Sequence, residues 1–138
     1  PMKLPPQFRP KSDSSEQSGN LAVNANDVDS TFTRWCSNSS GYPGWWQVDL
    51  GSVQQVNKAV IAWFDDDGRS YKYRIEGSTD GTTWTTLVAQ AGFVFNPASG
   101  NQVTLTFPAG ARRYVRVNFY GNTGWPAAQL SEYELYAS

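Results

Sequence analysis

The chain has 138 residues, enough for one domain with a full core, and its net charge of −1 argues against a surface that gathers nucleic acid. It has no histidine and one cysteine, which excludes imidazole metal sites, Ser-His and Cys-His catalysis and an internal disulfide. No apolar stretch approaches the length of a membrane span, so a membrane-embedded protein is not expected.

The N-terminal segment is rich in proline, serine and lysine, a composition typical of linkers. It predicts a linker or tail over residues 1–11 and a single domain over residues 12–138. A linker of this kind also indicates that the domain is attached to a larger protein.

The segment NANDVDSTFTRWCSN, residues 24–38, places two carboxylates and several hydroxyl groups before an Arg-Trp pair. Calcium binds oxygen ligands of this kind in irregular geometry, and Asp27, Asp29 and Thr33 could supply them. Alternatively, the two aspartates only accept hydrogen bonds from backbone amides in a turn. Arg34 offers a planar fork of donors that suits a sugar, or it only bridges carboxylates within the loop.

Strands are predicted wherever apolar and polar residues alternate, because a half-buried strand exposes every second side chain. In YKYRIE, residues 71–76, Tyr73 and Ile75 face one side and charged residues face the other. Asp80-Gly81 signals a hairpin turn, and PAG at residues 108–110 is predicted to turn the chain between two further strands. Several short strands separated by turns indicate an all-β sandwich or barrel.

Four connections between these strands are rich in polar or aromatic residues: 12–19, 24–44, 65–70 and 121–129. Long connections at one end of a β-sandwich commonly carry function, since the strands serve as their scaffold. The sequence therefore predicts a binding face made of loops. Of the six tryptophans, most of Trp35, Trp45, Trp46, Trp63 and Trp84 are expected in the core because they lie in or beside strands.

The segments SSEQSGN, NANDVDSTFTRW, WWQVDLG, YKYRIEGSTDGTTW and LSEYELY follow one another as in discoidin domains, also called coagulation factor 5/8 type C domains. Over residues 12–137 the chain resembles in particular the bacterial members classed as family 32 carbohydrate-binding modules. The resemblance implies a jelly-roll β-sandwich of the galactose-binding-domain type, with a structural calcium ion and a sugar site on the loops at one end. It also implies a secreted, monomeric module tethered to a polysaccharide-degrading enzyme.

The resemblance implies specific ligands for both sites. For calcium, a Ser-Glu step in the last strand would complete the oxygen cage, giving Asn24, Asp27, Asp29, Thr33, Ser131 and Glu132. For the sugar, the family places residues corresponding to Glu16 and Arg34 at the site and a stacking aromatic at the position of Trp125. Further sugar-binding candidates are Tyr42, Tyr120 and Asp65.

The choice of ligand depends on the carboxylates of residues 65–67 and on the missing histidine. Acidic loops favour a cationic polymer such as chitosan, and family members that bind galactose commonly use a histidine, so chitosan or a β-glucan is expected over galactose. Alternatively, residues 65–67 form only a solvated turn. Two other functions are open: a phospholipid-binding or cell-surface adhesion module, and a small glycosidase that pairs Glu16 with Asp65.

Overall fold

The computed structural model describes residues 2–3, 11–13, 35–36, 44–62, 70–94, 102–122, 129–130 and 132–137. These residues contain no helix, and therefore none that could cross a membrane. Every strand pair among them is antiparallel. The strands are β1 (Met2–Lys3), β2 (Lys11–Asp13), β3 (Trp35–Cys36), β4 (Gly44–Ala62), β5 (Ser70–Ser78), β6 (Thr85–Val94), β7 (Gln102–Asn122), β8 (Gln129–Leu130) and β9 (Glu132–Ala137).

The fold is built on a long ribbon in which β4 and β7 pair along almost their whole length. The first half of β4, with its partner half of β7, joins β2, β5 and β6, whereas the second half of β4 joins β9 and β1. The ring of Trp46 in the first half lies 5.1 Å from the ring of Tyr133, which pairs with Ile61 in the second half. The two halves therefore face each other as the layers of a sandwich, and the predicted all-β sandwich is confirmed.

The ribbon bends at a register shift in β4. Asp49 pairs with Tyr114 and Gln54 pairs with Arg112, so β4 has four residues between these two pairs where β7 has only one. Gly51 lies in this stretch with a φ of 81°, and its N–H donates to Asp49 Oδ1 at 2.8 Å. Only glycine adopts this left-handed conformation without a steric cost, so Gly51 suits the corner at which β4 passes between layers.

The PAG segment at residues 108–110 lies inside β7 and does not reverse the chain, so the predicted turn was wrong. Val56 pairs with Gly110 and Lys58 with Thr106, so β7 has three residues between these pairs where β4 has one, and the extra residues of β7 bulge from the ladder. Proline has no N–H to donate to a neighbouring strand, which favours a bulge as readily as a turn. The sequence signal is the same in both cases.

Alternate side chains of both layers fill the core. The inward positions of β5 and β9 follow the predicted pattern, with Tyr73, Ile75, Tyr133 and Leu135 all buried. Burial of large apolar side chains is the main favourable contribution to folding. The other members of the core cluster are Trp35, Trp46, Val48, Leu50, Val56, Ala59, Ile61, Phe107, Val115, Val117 and Phe119.

The bend gives the sandwich two different ends. We call the end formed by residues 51–55, 79–84 and 108–113 the corner end. We call the opposite end the loop end. Both termini of β4 and both termini of β7 lie at this end. The strand registers also place the start of β5, the start of β9 and the end of β2 there. Met2–Lys3 pair with β9 and Lys11 pairs with β4. The division into a tail over 1–11 and a domain over 12–138 stays a prediction.

Candidate functional site

The four connections predicted to form the binding face all adjoin strand ends at the loop end. Strand ends that are far apart in the sequence therefore lie together at one end of the sandwich. Most of the predicted sugar-binding residues belong to these connections and lie outside the described residues. They are Glu16, Arg34, Tyr42, Asp65 and Trp125.

The predicted calcium ligands are also mostly outside the described residues, which applies to Asn24, Asp27, Asp29, Thr33 and Ser131. Glu132 is the first residue of β9, and its backbone pairs with Ala62 at the loop end. Its side chain is not described. Within the ranges that are described, no three His, Cys, Asp or Glu side chains are close enough together to hold a metal ion. The calcium site stays a prediction.

Tyr120 is the one predicted sugar-binding residue whose side chain is described. It is half-buried near the end of β7, and its ring centroid lies 5.6 Å from Arg74 Cζ. Its buried neighbour Phe119 faces the core, so Tyr120 faces outward from its layer. The ring therefore lies close to the loop end, where β7 passes into residues 123–128.

Outward side chains on the same layer form a stack, which we call the Arg116 stack: Trp45, Arg116 and Trp84. The guanidinium carbon of Arg116 lies 4.4 Å from the ring centroid of Trp45 and 4.2 Å from that of Trp84. Arg116 Nε and Nη2 both donate to Gln47 Oε1, at 3.0 and 2.8 Å. Desolvation lowers the pKa of Arg116, and the charge of Glu76 opposes this shift. A guanidinium remains protonated at neutral pH, so the stack holds a fixed positive charge.

The carboxylate of Glu76 is already engaged by its neighbours. Asn118 Nδ2 donates to Glu76 Oε1, and Arg74 Nη2 lies 3.5 Å from Oε2. Arg74 Nε is buried and has no hydrogen-bond partner. A buried donor of this kind is costly unless a water molecule or ligand satisfies it.

The sequence prediction was only partly correct for the tryptophans. Trp35 and Trp46 are fully buried, whereas Trp45 and Trp84 are half-buried and flank Arg116. Trp63 lies outside the described residues. The alternation in WWQVDL contained the missed signal, because an inward Trp46 places Trp45 and Gln47 on the outer side.

A shallow cavity of about 200 Å³ lies at the corner end, far from the predicted loops along the strands. Hydroxyl side chains and the stem of Arg112 line most of it. Arg112 Nη1 donates to the carbonyl oxygens of Val56, Pro108 and Gly110, so this arginine joins β4 to the bulge of β7. These hydrogen bonds indicate that Arg112 has a structural role at the corner end.

Comparison with known proteins identifies the fold family. No curated protein matches the sequence significantly. Among solved structures, CBM32 of AlyQ in complex with 4,5-unsaturated mannuronic acid is 26% identical, with a TM-score of 0.82 over 100% of both chains. A pectin-binding carbohydrate-binding module is 25% identical, with a TM-score of 0.82 over 94% of this chain and 90% of that chain.

A chitosan-binding module derived from a chitosanase/glucanase of Paenibacillus sp. IK-5 is 29% identical, with a TM-score of 0.79 over 99% of this chain and 100% of that chain. All three structures are carbohydrate-binding modules, in agreement with the predicted resemblance. A model of F5/F8 type C domains, described as NedA-like, galactose-binding domain, matches residues 24–117. The chain therefore belongs to the NedA-like, galactose-binding family of F5/F8 type C domains.

Proposed function

We propose that this domain is a non-catalytic carbohydrate-binding module that holds a polysaccharide at its loop end and targets a secreted glycoside hydrolase to that polymer. The observation that carries the proposal is the strand register. It brings together the strand ends that adjoin all four connections rich in polar and aromatic residues. The similar chitosan-binding module, which derives from a chitosanase/glucanase, supports the tether to an enzyme.

The chemistry of these connections suits a sugar ring. Trp125 offers an apolar face for the C–H side of a pyranose, and Tyr42 and Tyr120 offer further aromatic surface. Arg34 and Glu16 offer planar donors and acceptors for hydroxyl groups. Aromatic surface combined with a few polar groups gives orientation and specificity without any catalytic group.

For the ligand, we favour chitosan or a β-glucan over galactose. Glu16 and residues 65–67 give the connections an acidic character that suits the ammonium groups of glucosamine. The identity of 29% to a chitosan-binding module supports this choice. Surface ion pairs contribute only about 0–1 kcal/mol each, so the preference should accumulate over several sugars and weaken in high salt.

The ligand test is calorimetry with chitosan, β-glucan and galactose oligosaccharides at two salt concentrations. We expect chitosan to bind most tightly at low salt and to lose its advantage at high salt. Galactose binding that is tight and independent of salt, with no chitosan binding, would contradict the ligand assignment. A reducing-sugar assay on the same polymers tests the non-catalytic role, because any enzymatic release of sugar would contradict it.

The site itself is tested with Arg34→Ala and Trp125→Ala. Each variant should remain folded and should weaken polysaccharide binding about tenfold or more, since stacking and charged hydrogen bonds contribute about 1–3 kcal/mol each. Val53→Ala is a matched control, because Val53 is 51% exposed and lies at the corner end. Retention of both loop variants on a polysaccharide column like that of the control would refute the loop-end site.

We also propose a structural calcium ion held by Asn24, Asp27, Asp29, Thr33, Ser131 and Glu132. The start of β9 beside the end of β4 supports this, because it places the backbone of Glu132 at the loop end. An ion that binds only the native state stabilises it by mass action. Chelation should therefore lower the Tm, and readdition of calcium should restore it. An unchanged Tm on demonstrably metal-free protein would reject the site.

A further inference from the structure

The outward side of the layer formed by β4, β7, β5 and β6 carries a second polar and aromatic surface. We call it the outer face: the outward side chains of Trp45, Gln47, Arg74, Glu76, Trp84, Arg116, Asn118 and Tyr120. Backbone register places Gln47, Arg116 and Glu76 side by side on three adjacent strands. Trp45, Asn118 and Arg74 form the next row toward the loop end. These side chains therefore form a continuous surface across the layer.

No carboxylate among the described residues forms a hydrogen bond with Arg116 on this surface. Its Nε and Nη2 donate to the neutral amide of Gln47, and its Nη1 makes no hydrogen bond to any part of the chain that is described. The nearby carboxylates are committed elsewhere. Glu76 accepts from Asn118 and pairs with Arg74, and Asp49 accepts two hydrogen bonds from Arg113. Glu76 therefore balances the positive charge of Arg116 only through space, and the Nη1 donor of Arg116 is available to a ligand.

The outer side of this layer has the opposite sign of charge to the whole chain. Among the described outward positions of β4, β5 and β7, the cations Lys72, Arg74 and Arg116 outnumber the carboxylates Asp49 and Glu76. The chain as a whole has a net charge of −1. A local excess of cations attracts anionic polymers, whereas the acidic connections at the loop end favour cationic ones.

We propose that the outer face binds the carboxylate of a uronate unit in an acidic polysaccharide, with Arg116 as the ligand-binding residue. A guanidinium pairs well with a planar carboxylate, and charge-assisted bonds of this type are the strong ones. The indoles of Trp45 and Trp84 hold the guanidinium in place, which reduces the entropy lost when the ligand binds. Gln47 fixes the rotation of the guanidinium by accepting from two of its nitrogens.

A polymer is the occupant because the outer face extends toward the loop end. Arg116 and Tyr120 are four residues apart on β7, about 13 Å along a strand. Tyr120 stands beside Arg74, which also faces outward. A chain of sugar units could therefore lie over both Tyr120 and Arg116. This second site does not depend on the loop-end site, and either could exist without the other.

The test compares trigalacturonate with its methyl ester, in which each carboxylate is replaced by an uncharged ester, at low salt. Wild-type protein should bind trigalacturonate at least about tenfold more tightly than the uncharged ester. Binding should shift the NMR signals of Arg116 Nε–H and of the Trp45 and Trp84 indoles. Equal binding of the two ligands, or binding that leaves these three signals unmoved, would overturn the proposal.

Variants separate the two sites. Arg116→Gln should weaken trigalacturonate binding at least about tenfold. Lys58→Gln, which removes a charge from the other layer, should leave this binding unchanged. Equal losses in both variants would contradict a specific site. If Arg116→Gln fails to fold, Lys72→Glu is the second variant. Lys72 is exposed, and a glutamate there places a negative charge on the same side of the layer, which should weaken trigalacturonate binding at low salt. Unchanged binding would count against the proposal. Trp125→Ala should keep the Arg116 shift, and its loss would assign the ligand to the loop end.

Discussion

Replacing Arg112 with methionine tests how the corner end is held together. Methionine keeps most of the apolar stem, which packs closely against Gly77: a Cβ on this glycine would lie 2.8 Å from Arg112 Cγ. The substitution removes the donors that Nη1 gives to the carbonyl oxygens of Val56, Pro108 and Gly110, the last two at 3.0 and 3.2 Å. We expect Arg112→Met to destabilise the domain mainly through these lost bonds.

The magnitude follows from the donor count. Nη1 carries a pair of hydrogens, so about two of the contacts can be full hydrogen bonds at once, each worth about 1.5–3 kcal/mol for a charged donor. The gross loss is therefore about 3–6 kcal/mol. Water entering from the adjacent cavity can satisfy part of the exposed carbonyls, so we expect a net loss of about 2–4 kcal/mol. In a domain of this size, that lowers the Tm by about 10 °C.

The assay is urea unfolding followed by tryptophan fluorescence, with Arg113→Met as the matched control. Arg113 is the next residue in the chain and pairs with Asp49 on the surface, with Arg113 Nε 2.8 Å from Asp49 Oδ1. Its removal should cost much less, because exposed ion pairs contribute little. If Arg112→Met is no more destabilising than Arg113→Met, the corner does not depend on the carbonyl contacts.

Three further predictions concern single positions. Gly81→Ala should cost about 1–2 kcal/mol in urea unfolding, because Gly81 has a φ of 77° and a Cβ there meets Tyr114 only at an ordinary 3.4 Å; an unchanged midpoint would contradict the backbone strain. Ile61→Val should cost about 0.5–1.5 kcal/mol, because Ile61 is fully buried, and a neutral result would indicate loose packing. Hydrogen bonds to Asp80, first from the amide of Thr83, lower its pKa from 3.8. Its carboxylate stabilises the fold above that value and loses this effect as pH falls through the lowered pKa, so the deficit of Asp80→Asn against wild type should shrink in acid. A deficit independent of pH would contradict this linkage.

The strands were predictable because burial imposes a period of two on them. Tyr73, Ile75, Tyr133 and Leu135 showed this alternation and are buried. The course of the chain at residues 108–110 was less accessible, since a proline favours both a turn and a bulge. Only the long-range pairing of β7 with β4 decides between the two, and local sequence does not contain that pairing.

The candidate binding surfaces also include features that local sequence predicts and features that depend on long-range contacts. The loop composition predicts a ligand-binding face, but the positions of side chains in long connections depend on contacts that no periodicity reveals. Trp45 was one of five tryptophans of which most were expected in the core because they lie in or beside strands, although the alternation with Trp46 places Trp45 on the outer face. Its pairing with Arg116 joins segments far apart in the sequence and had no local signal.

The shared ribbon of β4 and β7 has a consequence for how the domain folds. Gly44 pairs with Phe119 and Ala62 with Gln102, so both layers require contacts between distant parts of the chain. Such non-local topology slows folding, because loop closure must precede the contacts that reward it. Since each layer contains half of the same ribbon, neither can be completed alone, and the two should form in a single cooperative step. The amide hydrogens at the centre of β4 and β7 should then exchange only when the whole domain unfolds.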